Sequence, residues 1–305
     1  NLYYMKKKKK QKVTSSIISQ MEDIKSNLTY RKLRRRIRSL KKINFDLVNE
    51  NDIAELINKS LPLLIEVFPQ NPSPTDKAIW RARINEDAGC PYTNTDDISY
   101  KKNTTADQKY GRCNLAKESC FYGSDGIEVA VSEVCDRLSK DNPVLYLTVG
   151  GWKLKELINV SIMCHSMKAH KRSGDLVVAY QSLLDLKKKS AKSKSEIRQW
   201  KITNKFLAHE FSKKVRNGEE NKYVISAVYS HSLLKSQNSL GIFYPSVAYK
   251  LYGHNAAYCT KLIDENKLVL KEVHYIKCSF VKKNHPPKIE KLKYTNNIQN
   301  NSIIW

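Results

Sequence analysis

Hydrophobic positions in this chain recur in two periods, and the switches between them predict its elements. Trp80-Arg81-Ala82-Arg83-Ile84 alternates with period two, which predicts a strand carrying Arg81 and Arg83 on one face and Trp80, Ala82 and Ile84 on the other. The same reading predicts a short strand end at Phe121-Tyr122, and strands at Val144–Val149, Tyr223–Tyr229, Gly241–Val247, Ala256–Leu262 and Val269–Phe280. Helical spacing places Ile127, Ala130, Val131, Val134 and Leu138 on one buried stripe, opened by Asp125-Gly126, with Glu133 beside that stripe. Trp152–Lys171 and Ile197–Val215 also read as helices, with the Lys and Ser run Lys187–Lys194 as a solvated connection between them and Asn85–Lys109 as a polar loop.

Towards the N-terminus, Ile17, Met21, Ile24 and Leu28 recur in steps of four and three, and Leu33, Ile37 and Leu40 resume that spacing. A helix with so narrow a seam offers a stripe for docking or for homo-oligomer assembly. Asp52 and Glu55 read as a capping box for a helix that Pro62 bends and Pro69 ends, and Pro69–Pro74 reads as a linker. Three regions follow: a basic helical extension over 1–74, a main domain over 75–284, and a polar tail over 285–305 expected to be poorly ordered. Strands and helices mix without regular βαβ alternation, so the fold class expected is α+β.

Composition narrows the setting. The net charge is +24, and residues 1–42 hold a surplus of 13, leaving 11 for the other 263 residues. Such an arm attracts polyanions, whether nucleic acid, an acidic lipid surface or an acidic partner protein. No stretch reaches the ~18 apolar residues of a membrane span, and none has the form of a signal peptide, so the reading is a cytoplasmic protein. Seven cysteines without a C-x-x-C pair argue for reduced thiols, and scattered histidines give no metal site.

Chemistry concentrates in Tyr110-Gly111-Arg112-Cys113-Asn114, Phe121-Tyr122-Gly123-Ser124-Asp125, Glu133, and a later segment of Gly241–Val247 with Asn255. Guanidinium groups fit phosphate oxygens in a bidentate fork, which makes Arg81, Arg83 and Arg112 candidates to grip a diphosphate. A carboxylate at Glu133 suits a reaction in which positive charge develops on a ribose. Tyr122 offers a flat face to a planar leaving group. Ser246, stiffened by Pro245, could bond a carboxamide or a ribose oxygen.

In chain order these residues resemble the RES family, named for an arginine, a glutamate and a serine, over about residues 78–280. Its early arginine corresponds to Arg81, with Arg83 as rival. Gly111-Arg112-Cys113-Asn114, the strand and helix from Phe121 to Glu133, Tyr244-Pro245-Ser246, and Gly253 with Asn255 follow in the family's order. Cys113 and Leu115 stand where the family has an aromatic residue and a proline, and the segment from Asp136 to Tyr223 is longer than expected. The resemblance implies a core like that of ADP-ribosyltransferases and cleavage of NAD by hydrolysis or phosphorolysis, in a toxin or defence effector restrained by an antitoxin or regulatory partner. It implies Glu133, Arg81 and Ser246 as catalytic, and Arg83, Arg112, Asn114, Tyr122, Ser124 and Asn255 as NAD-binding. ADP-ribosyl transfer to a macromolecule is one alternative. A nucleic-acid-binding module with an inactive RES-like domain is the other.

Overall fold

A computed structural model describes residues 28–48, 50–62, 68–70, 77–87, 89–102, 104, 109–135, 138–164, 174–216, 218–236, 239–282 and 286–305. The lysine run, the seam from Ile17 to Ile24 and most of the Pro69–Pro74 segment lie outside these residues. The described part is a mixed α/β fold built on one large sheet with seven α-helices, compatible with α+β.

Nine strands make the sheet: β1 (Phe68–Gln70), β2 (Ile79–Ile84), β3 (Phe121–Ser124), β4 (Val144–Leu154), β5 (Ile158–Ile162), β6 (Gly241–Pro245), β7 (His254–Tyr258), β8 (Leu268–Ser279) and β9 (Lys288–Thr295). Their order is β1-β5-β6-β7-β3-β2-β4-β8-β9. Every neighbouring pair is antiparallel except β5 and β6. The helices are α1 (Tyr30–Leu40), α2 (Glu50–Ser60), α3 (Ile127–Val134), α4 (Gly174–Ser190), α5 (Lys194–Phe211), α6 (Val224–Lys235) and the single turn α7 (Lys261–Asp264). A final two-strand hairpin, β10 (Ile298–Gln299) and β11 (Ser302–Ile303), closes the chain.

β2 divides two cores. Ala82 joins Ala130 and Val131 of α3 with Leu147, Val149 and Ile276, whereas Ile79 belongs to the larger cluster with Phe121, Trp152 and the remaining helices. The alternation along Trp80–Ile84 therefore does what its period predicts: one side of the strand receives α3 and the other carries the arginines.

Several elements differ from expectation. Trp152 belongs to β4, which runs through Gly150-Gly151 by a bulge instead of stopping there, and Ile158–Ile162 is a strand where a helix over Trp152–Lys171 was expected. A glycine pair read as a terminator is here a bulge position. Tyr223–Tyr229, expected as a strand, lies in the helical segment that continues as α6. Val224 to Ser230 are all buried, and an apolar run without a polar face has no period to separate strand from helix. Lys187–Ser190 completes α4. Asp125 does not cap α3, whose N-cap is Gly126, because its carboxylate pairs with Nδ1 of His254 at 2.9 Å.

The C-terminal residues are ordered as β9, paired with β8 from Ser279 to Val273, although most of β9 is exposed. An edge strand needs main-chain partners more than apolar side chains, and its lysines are ordinary edge protection. Ile303 is buried, and the Trp305 indole donates to the Tyr92 carbonyl at 2.9 Å.

The described part of the N-terminal seam, from Leu28 to Leu40, docks within the molecule. Leu33, Ile37 and Leu40 are buried, Gln199 of α5 donates to the Leu28 carbonyl at 2.7 Å, and Leu56 and Ile57 of α2 join the same core as the sheet. Arg31, Lys32, Arg34, Arg35 and Arg38 remain exposed on the outer face of α1. Among the described residues no helix is long and apolar enough to cross a membrane, and no cysteine forms a disulfide.

Docking of α2 has a measurable consequence. Ile57→Ala should lower unfolding stability by about 2–5 kcal/mol in urea titrations, the usual loss for a buried isoleucine cut to a methyl group. A loss below about 0.5 kcal/mol would show that α2 is an appendage and not core.

Candidate active site

β2 and β3 share a single register pair, Trp80 with Ser124, and a cavity of about 290 Å³ opens where they diverge, beneath α3. Arg81 and Arg83 from β2, Tyr122 and Ser124 from β3, Glu133 from α3 and Asn255 from β7 line it, together with Trp80, Gly123 and Tyr244.

Glu133 is exposed, yet one of its oxygens is fixed. Oε1 accepts from Ser246 Oγ at 2.6 Å and from Asn255 Nδ2 at 2.7 Å, while Oε2 has no hydrogen-bond partner among the described residues. The donors are themselves oriented. Ser246, fully buried, accepts at Oγ from the Tyr249 amide at 3.1 Å, which leaves its one proton for Glu133. Asn255 Oδ1 accepts from Ser124 Oγ at 2.8 Å, which turns the amide nitrogen towards the carboxylate. The Ser246 amide donates to Gly253 O at 2.9 Å and so closes the connection between β6 and β7.

Arg81 and Arg83 line the same cavity from β2. Arg81 Nε and Arg83 Nη2 both donate to the Ser99 carbonyl at 3.0 Å, and Arg81 Nη1 donates to the Tyr122 carbonyl. Arg81 also lies 5.3 Å from the centre of the Phe121 ring. Burial first, and then the neighbouring charge of Arg83, lower the Arg81 guanidinium to about 9; burial likewise lowers Arg83. A guanidinium resists deprotonation, so at neutral pH these groups stay charged and the burden falls on stability. Among the described residues neither has a carboxylate within ion-pairing distance, and Arg83 Nε is buried without a partner.

Tyr122 presents its ring to the cavity while its hydroxyl is held from behind. It donates to Asn114 Oδ1 at 2.7 Å and accepts from the Cys113 amide at 2.8 Å. Burial holds Tyr122 and Tyr244 well above the usual tyrosine range, so both stay neutral. Gly111 makes this packing feasible, because a Cβ there would come within 2.2 Å of Asn114 Oδ1 and 2.7 Å of the Tyr122 hydroxyl.

The structure thus brings Arg81, Arg83, Tyr122, Ser124, Glu133 and Asn255 to one cavity, with Ser246 tied to Glu133. It does not bring Arg112 or Asn114 into the wall. Arg112 donates to the carbonyls of Phe211 at 2.9 Å and Lys213 at 2.8 Å at the end of α5, and stacks 4.8 Å from the Tyr223 ring centre. Asn114 donates to Leu115 O and Glu118 O. The sequence reading did not assign Trp80, Tyr244 or Ser99 to the site. Tyr244 lay within a quoted segment; Ser99, in a polar loop, had no signal at all.

Compared with known proteins, the chain matches no family model and no curated protein. The chemistry must therefore be read from the cavity itself. It is lined by two half-buried cations with no carboxylate partner among the described residues, by one carboxylate with a fixed oxygen, and by the neutral tyrosines Tyr122 and Tyr244. No group of three or more His, Cys, Asp or Glu that could hold a metal ion occurs among the described residues.

Removing a buried, unpaired cation should not harm the fold. Arg83→Met is expected to unfold no more than about 1 kcal/mol below the parent in denaturant titrations, or above it. A loss of several kcal/mol would mean that Arg83 is a structural tie and not a binding group.

Proposed function

We propose that this protein consumes NAD by cleaving its nicotinamide–ribose bond, using a RES-like, ADP-ribosyltransferase-like core. The observation that carries this reading is Glu133, held at Oε1 by Ser246 and Asn255, lining one cavity with two arginines that have no carboxylate partner among the described residues. A dinucleotide matches that polarity: its diphosphate suits Arg81 and Arg83, and its nicotinamide ribose suits the carboxylate.

In this reading Oε2 accepts a ribose hydroxyl, and the carboxylate charge stabilises the positive charge that grows on C1' as the C1'–N bond breaks. The bonding pair leaves with nicotinamide, a neutral base. A water molecule, or inorganic phosphate, then adds to C1'; water loses its proton to solvent, and phosphate gives the 1'-phosphate. The Tyr122 ring stacks on the departing base without needing to ionise. Such an activity fits an intracellular toxin or defence effector held in check by an antitoxin or another regulatory protein.

Nicotinamide released from NAD by the purified protein, followed by chromatography, tests the reading. Glu133→Gln keeps the hydrogen-bonding shape but removes the charge, and should lower turnover by about 100-fold or more. Equal turnover by the two proteins would remove Glu133 from the chemistry, and no release by the parent would end the proposal.

A further inference from the structure

Five of the chain's 12 arginines fall between Arg31 and Arg38, in a protein where 42 of 54 basic residues are lysine. Lysine is enough for a solvated surface charge, whereas a guanidinium adds a planar fork that matches phosphate oxygens two at a time. Arg36 ties α1 to α2 through the Lys59 carbonyl at 2.9 Å. Arg31, Arg34, Arg35 and Arg38 stay exposed, because Leu33, Ile37 and Leu40 take the opposite side of α1 into the core.

α5 extends this face. Lys194, Arg198, Lys201 and Lys205 are exposed and follow one another in steps of four, three and four, which makes one stripe along the helix. The two rows adjoin. Lys41, seven residues from Arg34 and so on the same flank of α1, places its ammonium 5.7 Å from the centre of the Phe206 ring, beside Lys205. No acidic residue occurs between Thr29 and Phe45, or between Ile197 and Ala208. Asp46, Glu55 and Glu196, on the flanking stretches, are engaged by Asn221, Lys59 and Lys187. Like charges so arranged repel one another, and a polyanion relieves that repulsion while releasing its own counterions.

We propose that the outer face of α1, together with the exposed stripe of α5, binds the sugar–phosphate backbone of a nucleic acid duplex. The apolar side of α1 is already buried in the protein, and none of the exposed large hydrophobic residues lies on α1 or α5. The face therefore has nothing to insert into a bilayer, as a helix lying on a membrane requires. Each row is about 16 Å long at the rise of an α-helix, enough to meet several successive phosphates. Contacts of this kind position a duplex without reading its bases. The proposal is independent of NAD cleavage.

Fluorescence anisotropy of a short labelled duplex, as DNA and as RNA, titrated with the full chain at increasing NaCl tests the face. Affinity for at least one duplex should fall steeply with salt. Arg34→Gln, Arg35→Gln and Arg38→Gln combined should flatten the log–log salt slope by about 2.7, since each neutralised phosphate contributes about 0.9. Lys201→Gln with Lys205→Gln should flatten it by about 1.8 on the same grounds. A slope unchanged in either variant would overturn the shared face. Tighter binding of the parent to poly-glutamate, or to vesicles containing phosphatidylserine, than to both duplexes would overturn the choice of nucleic acid. All five side chains are exposed, so both variants should unfold at the parent's midpoint. Should the triple variant unfold early, Arg35→Gln alone decides the matter through an expected change of about 0.9, and no change sinks the proposal. None of the substituted residues lines the cavity, so nicotinamide release should match the parent's in every variant, and loss of one reading leaves the other intact.

Discussion

Everything at the cavity depends on one shared acceptor, Oε1 of Glu133, which accepts one hydrogen bond from Ser246 and another from Asn255. The two donors come from opposite ends of the connection between β6 and β7, and the acceptor comes from α3, so this atom joins three elements far apart in sequence. Neither donor is free to choose another direction, since the Tyr249 amide occupies the serine oxygen and Ser124 occupies the asparagine oxygen. The carboxylate that lines the cavity is thereby oriented through Oε1. Charge placed in this way needs no reorganisation when positive charge develops opposite it.

The arginines that line the cavity show the complementary trade. Two guanidiniums withdrawn from water without a carboxylate partner cannot stabilise the fold, and burial depresses both of them. Main-chain carbonyls from Ser99 and Tyr122 make their positions tolerable without cancelling their charge. An acidic partner would have satisfied these cations and, in doing so, closed the site to any anion.

How much of this was legible depends on the range of the interactions. The β2 alternation, the α3 stripe and the long strands at 144 and 269 are local patterns, and they were readable. The 152–171 and 223–229 segments were misread because their period is interrupted by a bulge or erased by burial on all sides, and the edge strand β9 because main-chain pairing leaves no mark on polarity. In the site, residue types supplied candidates, but not which of them line the cavity. Glycine, arginine and asparagine at 111–114 suggested ligand contacts, whereas Ser99 stood in a loop with no pattern. Its part follows only from the β10–β11 hairpin some 200 residues later.

Arg112 shows how a binding-type residue can serve the site from one layer behind it. Its guanidinium closes the end of α5 through two carbonyls and rests on the Tyr223 ring, while its own carbonyl receives Ser230 of α6 at 3.5 Å. The next residue, Cys113, donates its amide to the hydroxyl that fixes Tyr122 in the cavity wall. The helices α5 and α6, on which α1 and α2 are packed, therefore meet the sheet at the segment that holds the aromatic face of the site. Lysine at 112 would keep the charge but lose the planar fork that spans two carbonyls and the stacking surface. Position 112 thus answers to geometry more than to charge, and the N-terminal helices become part of what keeps the cavity in shape.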